Sequence, residues 1–221
     1  MKKEVLRKIA GILVSVVLVL GAGCGMDADV DTEQETAPAV PTIGSVAPDF
    51  TLPGVDGDMV SLYDYLGNYV VLEWLNYDCP FVVKHYETNN MQQLQDDYLD
   101  KGVVWLGINS SAPGRQGHFS PEEWKELADE RDTNPTKILL DTEGFVGRRY
   151  RARTTPEMFV IDPDGILIYM GAIDDTATTD HEDVKTAKNY VRNALESDMS
   201  GESVEPAVTE PYGCSVKYAT E

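Results

Sequence analysis

Cys79 is the residue of this chain best placed to do chemistry. It follows an apolar run from Tyr69 to Asp78 and is followed at once by Pro80. That pattern predicts a buried strand breaking into a turn, with the cysteine at the start of the next helix. A thiol there lies near unpaired backbone N–H groups and the positive end of the helix dipole, both of which favour thiolate over thiol. The thiolate attacks peroxides and disulfides and binds soft metals. The bland alternative is an inert core cysteine. Two further cysteines, Cys24 and Cys214, complete the set. Cys214 stands between Gly213 and Ser215-Val216-Lys217-Tyr218, after a loose stretch rich in Gly, Pro, Glu and Ser. It is either a partner for Cys79 or an incidental tail thiol, because spacing alone does not bring two Cα atoms within bonding reach.

The rest of the chain must position that thiol. Its 221 residues, 42% of them hydrophobic, suffice for one packed domain and a tail. A net charge of −20 excludes nucleic acid as a partner, because a phosphate backbone would be repelled. It also disfavours binding to anionic lipid heads. The acid forms a solvated surface or docks a basic partner. No pattern for a nicotinamide, a flavin or zinc is present, so no cofactor is expected.

The N-terminus carries Lys2, Lys3, Arg7 and Lys8, then an apolar stretch from Ile9 to Leu20, then Gly21-Ala22-Gly23 before Cys24. This is the pattern of a secretory signal, too short for a comfortable membrane span. The small residues ending on Cys24 resemble the lipobox of bacterial lipoproteins, whose cysteine is acylated, although Gly21 stands where that motif usually carries Leu. The expectation is therefore a signal peptide over residues 1–23 and a lipid on Cys24. An exported protein would result, anchored in the membrane and facing the periplasm or cell surface. A flexible acidic tether follows over 24–45. In that compartment disulfides persist, and Cys79 and Cys214 remain as the pair.

Along the domain, expected at 46–198, a short strand lies near Ala47–Leu52 with a hairpin turn at Asp56-Gly57. Tyr69–Asn76 reads as a strand buried on both faces. One helix then runs from the cysteine to about Asp100, with Met91, Leu94 and Tyr98 on one face. Val103–Asn109 is a second buried strand. Ser120-Pro121-Glu122-Glu123 is a strong helix start, with a Ser cap, Pro at the first position and Glu three residues on. Lys137–Asp141 is a strand and Glu143–Tyr150 a short helix. Met158–Asp162 and Ile166–Met170 form a hairpin about Pro163-Asp164-Gly165, and a last helix spans His181–Ser197. Residues 199–221 form a C-terminal tail bearing Cys214. The fold class is α/β, a central mixed sheet with helices on both faces, and the element order resembles the thioredoxin fold.

Three segments sharpen that resemblance. Ala47-Pro48-Asp49-Phe50-Thr51-Leu52-Pro53, with Asp56-Gly57 and Val60-Ser61-Leu62, resembles the opening of the alkyl hydroperoxide reductase/thiol-specific antioxidant family. Tyr69–Pro80 is similar to its strand and cysteine elbow. Thr154-Thr155-Pro156-Glu157-Met158-Phe159-Val160-Ile161-Asp162 is similar to the segment that holds a cis-proline beside the active cysteine. Cys79–Val82, Gly171–Asp175 and Gly213–Tyr218 resemble a peroxiredoxin-like subgroup.

The resemblance implies roles. Cys79 is the attacking thiol, Pro156 the cis-proline with Thr155 before it, and Cys214 a resolving thiol. Asn76 occupies the place of the hydroxyl residue that polarises a peroxide. Arg148, Arg149, Arg151 and Arg153 form the basic cluster. Arg149 or Arg153 is a candidate to stabilise an anion or peroxide, against a solvated helix end. Val82 stands where a thioredoxin has its second cysteine. Asp78 opposes the thiolate if it points inward.

Three functions compete. The first is an exported thiol oxidoreductase that reduces a peroxide or protein disulfide with electrons from a thiol donor protein. The second is a copper-binding or assembly module using Cys79 and His85. The third is a thioredoxin-fold binding domain with an idle thiol.

Overall fold

The computed structural model describes residues 40–220. The expected leader, Cys24 and most of the expected tether lie outside them. A hairpin opens the fold: β1 (Thr51–Pro53) and β2 (Met59–Ser61) pair antiparallel around Asp56-Gly57, where Gly57 takes the positive φ the turn needs. Next come β3 (Val70–Trp74), α1 (Pro80–Glu87), α2 (Asn90–Leu99), β4 (Val104–Asn109), α3 (Pro121–Glu130) and β5 (Lys137–Leu140). Then follow α4 (Phe145–Tyr150), β6 (Thr154–Thr155), β7 (Glu157–Ile161), β8 (Leu167–Gly171), α5 (Tyr190–Met199) and β9 (Cys214–Ser215).

The five-stranded sheet has the order β5-β4-β3-β7-β8; β3, β4 and β5 are parallel, and β7 runs antiparallel to both its neighbours, β3 and β8. Strand β3 lies at its centre, and the pleat sends alternate side chains to two cores. Val70, Leu72 and Trp74 pack with Val146 and Tyr150 of α4 and with the first hairpin. Val71 packs on the other side with Val82 and Tyr86 of α1, Met91 and Leu94 of α2, Trp124 of α3 and Leu195 of α5. Helices thus cover both faces, as expected for a sheet buried on both sides. Helix α3 starts as its sequence dictates: the Ser120 hydroxyl accepts from the Glu123 amide and the Glu123 carboxylate accepts from the Ser120 amide.

Two expected helices are corrected. The helix expected to run from Cys79 to Asp100 is two helices, broken at Thr88-Asn89. The Thr88 hydroxyl donates to the Lys84 carbonyl at 2.7 Å, and Asn89 turns left-handed at φ 58°, a conformation Asn tolerates. The last helix begins at Tyr190 rather than His181, and His181–Lys185 form a separate 3-10 turn. Asp175 accepts the Lys188 amide at 2.9 Å and so holds the chain out of the helix until Asn189, whose side chain caps it.

The C-terminal stretch is not loose. Met170 and Thr209 donate to Ala207 and Met170 carbonyls respectively, so residues 207–209 lie along the outer edge of β8. At the other end of that edge, the Gly44 amide donates to Leu167 and the Leu167 amide to Ser45. An edge strand that would otherwise expose unpaired backbone is covered twice. Among the described residues no helix is long and apolar enough to cross a membrane.

Candidate active site

Cys79 caps the N-terminus of α1, with Pro80 at the first helical position. Its amide donates to the Asn76 carbonyl at 3.0 Å, and its own carbonyl accepts from the Val82 and Val83 amides. The elbow follows from the sequence: β3 runs out, the Asn76 side chain accepts the Asp78 amide at 2.9 Å, and proline starts the helix. The side chain is fully buried, and its thiol donates to the Thr155 carbonyl at 3.0 Å. The Thr155–Pro156 bond is cis. Strand β3 and the β6–β7 corner, distant in sequence, therefore meet at Cys79.

The second thiol arrives on the tail. Strands β6 and β9 pair antiparallel with Thr155 opposite Cys214 and Thr154 opposite Ser215. Gly213 makes this possible, because a Cβ on it would stand 2.8 Å from the Thr155 carbonyl carbon and closer still to its oxygen. Cys214 is thus brought beside Cys79, close enough for each thiol to feel the other, and both cysteines are free thiols. Burial pushes the Cys214 thiol up to about 12, the neighbouring Cys79 adds to this, and Lys217 opposes it.

Two aromatic anchors flank Cys214. The Tyr212 ring lies edge-on to Phe81 at 5.8 Å and under the Lys84 ammonium at 5.4 Å. Its hydroxyl donates to Asp174 and lies 3.4 Å from His85 Nε2. Downstream, Val216 donates to the Arg153 carbonyl, Ala112 donates to the Lys217 carbonyl, and the Tyr218 hydroxyl donates to the Ala152 carbonyl at 2.8 Å. Tyr218 packs under the Arg148 guanidinium, on a surface kept open by Gly144 and Gly147.

His85 belongs to this anchor and does not form a pair with Cys79. The Asn90 amide nitrogen lies 2.8 Å from Nδ1, which places the ring proton on Nε2, toward Tyr212 and Asp174. Burial, and then the Lys84 charge, push the imidazole down to about 3, so the 3.9 Å approach to Asp174 involves a neutral ring. Among the described residues, no group of three or more His, Cys, Asp or Glu side chains is arranged to hold a metal.

The other expected residues divide. Asn76 and Thr155 lie at the site through their main chains, and the Asn76 Nδ2 and Thr155 Oγ1 are buried without a hydrogen-bond partner. Gly117 packs directly on the Asn76 amide and leaves no room there for a Cβ. Asp78 points away from the thiol: it is exposed, and its carboxylate accepts the Gly117 amide at 3.1 Å. The two arginines have other partners. Arg149 donates to the Asp49 carbonyl at 2.7 Å, and Arg153 pairs with Glu210 at 3.1 Å on the surface. Sequence reasoning missed Tyr212 and Asp174 as a bonded pair. Asp174 stood in a segment marked by the subgroup resemblance and Tyr212 just before another, and only the fold joins them.

The sequence model of the AhpC/TSA family matches residues 43–170. Peroxiredoxin Bcp of Escherichia coli (strain K12) is 31% identical over 148 residues, which cover 64% of this chain and 90% of that protein. Thiol-disulfide oxidoreductase ResA of Geobacillus kaustophilus is 31% identical over 132 residues, 60% of this chain and 68% of that one. A crystal structure of an uncharacterized conserved protein from Geobacillus kaustophilus is similar with a TM-score of 0.69 at 30% identity, over 81% of this chain and 94% of that chain. The fold is thioredoxin-like, the activity is that of a thiol oxidoreductase, and the chain belongs to the AhpC/TSA family.

Proposed function

We propose that Cys79 is the attacking thiol and Cys214 the resolving thiol of a two-step reduction. The Cys79 thiolate attacks a hydroperoxide oxygen; the O–O bond breaks, the alkoxide leaves and takes up a proton, and Cys79 becomes a sulfenic acid. Cys214 then attacks that sulfur, an S–S bond forms, and water departs with the Cys214 proton. With a protein disulfide the first product is a mixed disulfide, and Cys214 expels the second substrate thiol. An external dithiol returns the chain to its reduced state and is itself oxidised. The pairing of Thr155 with Cys214, when the Thr155 carbonyl also accepts the Cys79 thiol, carries this reading.

Similarity to a peroxiredoxin and to a thiol-disulfide oxidoreductase supports both branches. The sequential order has a physical basis. Cys79 is one of the causes that push the Cys214 thiol up, and oxidation of Cys79 takes that cause away. Export with a lipid on Cys24 fits a cycle through a disulfide, since that compartment preserves one.

The experiment is a single turnover of the reduced protein with hydrogen peroxide, followed by intact mass and peptide mapping. A Cys79–Cys214 bond in the wild type and retained thiols in Cys79→Ser are expected. Equal peroxide consumption by both proteins rejects the assignment.

A further inference from the structure

The segment that delivers Cys214 also covers Cys79. Tyr212 is wedged against Phe81, Lys84 and His85 of α1, Gly213 lies on the Thr155 carbonyl, and Cys214 and Ser215 occupy the edge of β6. Val216 and Lys217 are then tied to Arg153 and Ala112. Three separate parts of the molecule, α1, the 153–155 segment and the loop at Ala112, therefore hold one short stretch of chain beside a thiol that has no exposed surface. A protein disulfide has to bring its own backbone alongside Cys79 to align its sulfur with Sγ. The backbone edge available for such strand-type pairing is β6, and the chain's own β9 fills it.

A small oxidant needs no such backbone edge. Asn76 Nδ2 and Thr155 Oγ1 are both more than nine-tenths buried, both lack a hydrogen-bond partner, and each belongs to a residue whose main chain hydrogen-bonds Cys79. Unpaired buried donors and acceptors are costly. Hydrogen peroxide has only two heavy atoms, with two O–H donors and two acceptor oxygens, and can meet polar groups without displacing a strand.

We propose that residues 212–217 are the specificity-determining element of this site: packed over Cys79, they admit a small hydroperoxide and exclude a protein disulfide until they are displaced. This rests on Cys79 being the attacking thiol. Gly213→Val forces the segment off Thr155, and Tyr212→Ala loosens it from α1 without touching Gly213. Reduced full-length proteins, checked for a native near-UV spectrum, are mixed separately with excess hydrogen peroxide and with oxidised insulin. Loss of the Cys79 thiol is read by rapid alkylation and peptide mass. The expected result is a rise of tenfold or more, in both variants, in the ratio of the insulin rate constant to the peroxide rate constant. An unchanged ratio in both folded variants overturns the proposal. If hydrogen peroxide does not consume Cys79 in the wild type and neither oxidant does so in the variants, the attacking-thiol reading beneath it is rejected instead.

Discussion

The carbonyl oxygen that receives the Cys79 thiol proton, that of Thr155, is also the atom against which Gly213 packs with no space for a Cβ. One backbone group thus sets the position of Cys79 and of Gly213, the residue that precedes Cys214. Gly213 also sits at φ 138°, a region open almost only to glycine.

Gly213→Ala should therefore cost about 2 kcal/mol through strain and crowding, and it should break the β6–β9 pairing rather than the sheet. The expected outcome is a modest loss of thermal stability with a tenfold or greater slowing of Cys79–Cys214 bond formation after one equivalent of peroxide. Unaltered bond formation would show that the close approach is not needed.

Tyr212→Phe keeps the ring against Phe81 and removes only the hydroxyl that donates to Asp174. A hydrogen bond to a charged group contributes roughly 1.5–3 kcal/mol, so Cys214 should spend less time at Cys79. Trapping the Cys79 sulfenic acid with dimedone after peroxide should yield several-fold more adduct than in the wild type. Asp174→Asn should move the yield in the same direction, and the wild-type yield in both would refute the anchor.

Cys214 is held up at about 12 first by burial and then by Cys79. Cys79→Ser deletes the second cause and leaves the first. The pH profile of Cys214 alkylation should move to lower pH in Cys79→Ser yet stay above the profile of an exposed cysteine. A profile that does not move would mean that the two thiols do not communicate.

Glu73 lies fully buried in the middle of β3, accepting from Trp105 Nε1 at 2.8 Å and from the Tyr86 hydroxyl at 3.0 Å. Burial pushes its carboxyl up to about 7, against the lowering effect of those hydrogen bonds. The folded state therefore holds a proton that the unfolded chain, with a pKa near 4.5, releases. Its contribution is fully present below pH 4.5 and is lost as pH rises toward 7, a change on the order of 3 kcal/mol. Glu73→Gln should flatten that fall and leave the variant the more stable protein above pH 7 by urea unfolding. An identical pH dependence in both proteins would contradict it.

Much of this protein was readable as local pattern. The apolar run ending at Cys79-Pro80 predicts the strand and the helix start because burial of β3 and the N-terminal preference of proline are both short-range effects. The Ser120 cap and the β7–β8 hairpin are legible for the same reason. Helix continuity was less so: at Thr88-Asn89 and at Lys188-Asn189 side chains compete with the backbone for hydrogen bonds, and periodicity does not register that competition. The sequence also named both thiols. It left open whether they meet, because β6 and β9 are two residues each and carry no period to reveal their register. Only the closed fold settles that Thr155 faces Cys214, that Tyr212 finds Asp174, that His85 turns to this pair, and that Arg149 and Arg153 spend their charge elsewhere. Such contacts are fixed by the sheet that brings distant segments together, and no stretch of neighbouring residues encodes them.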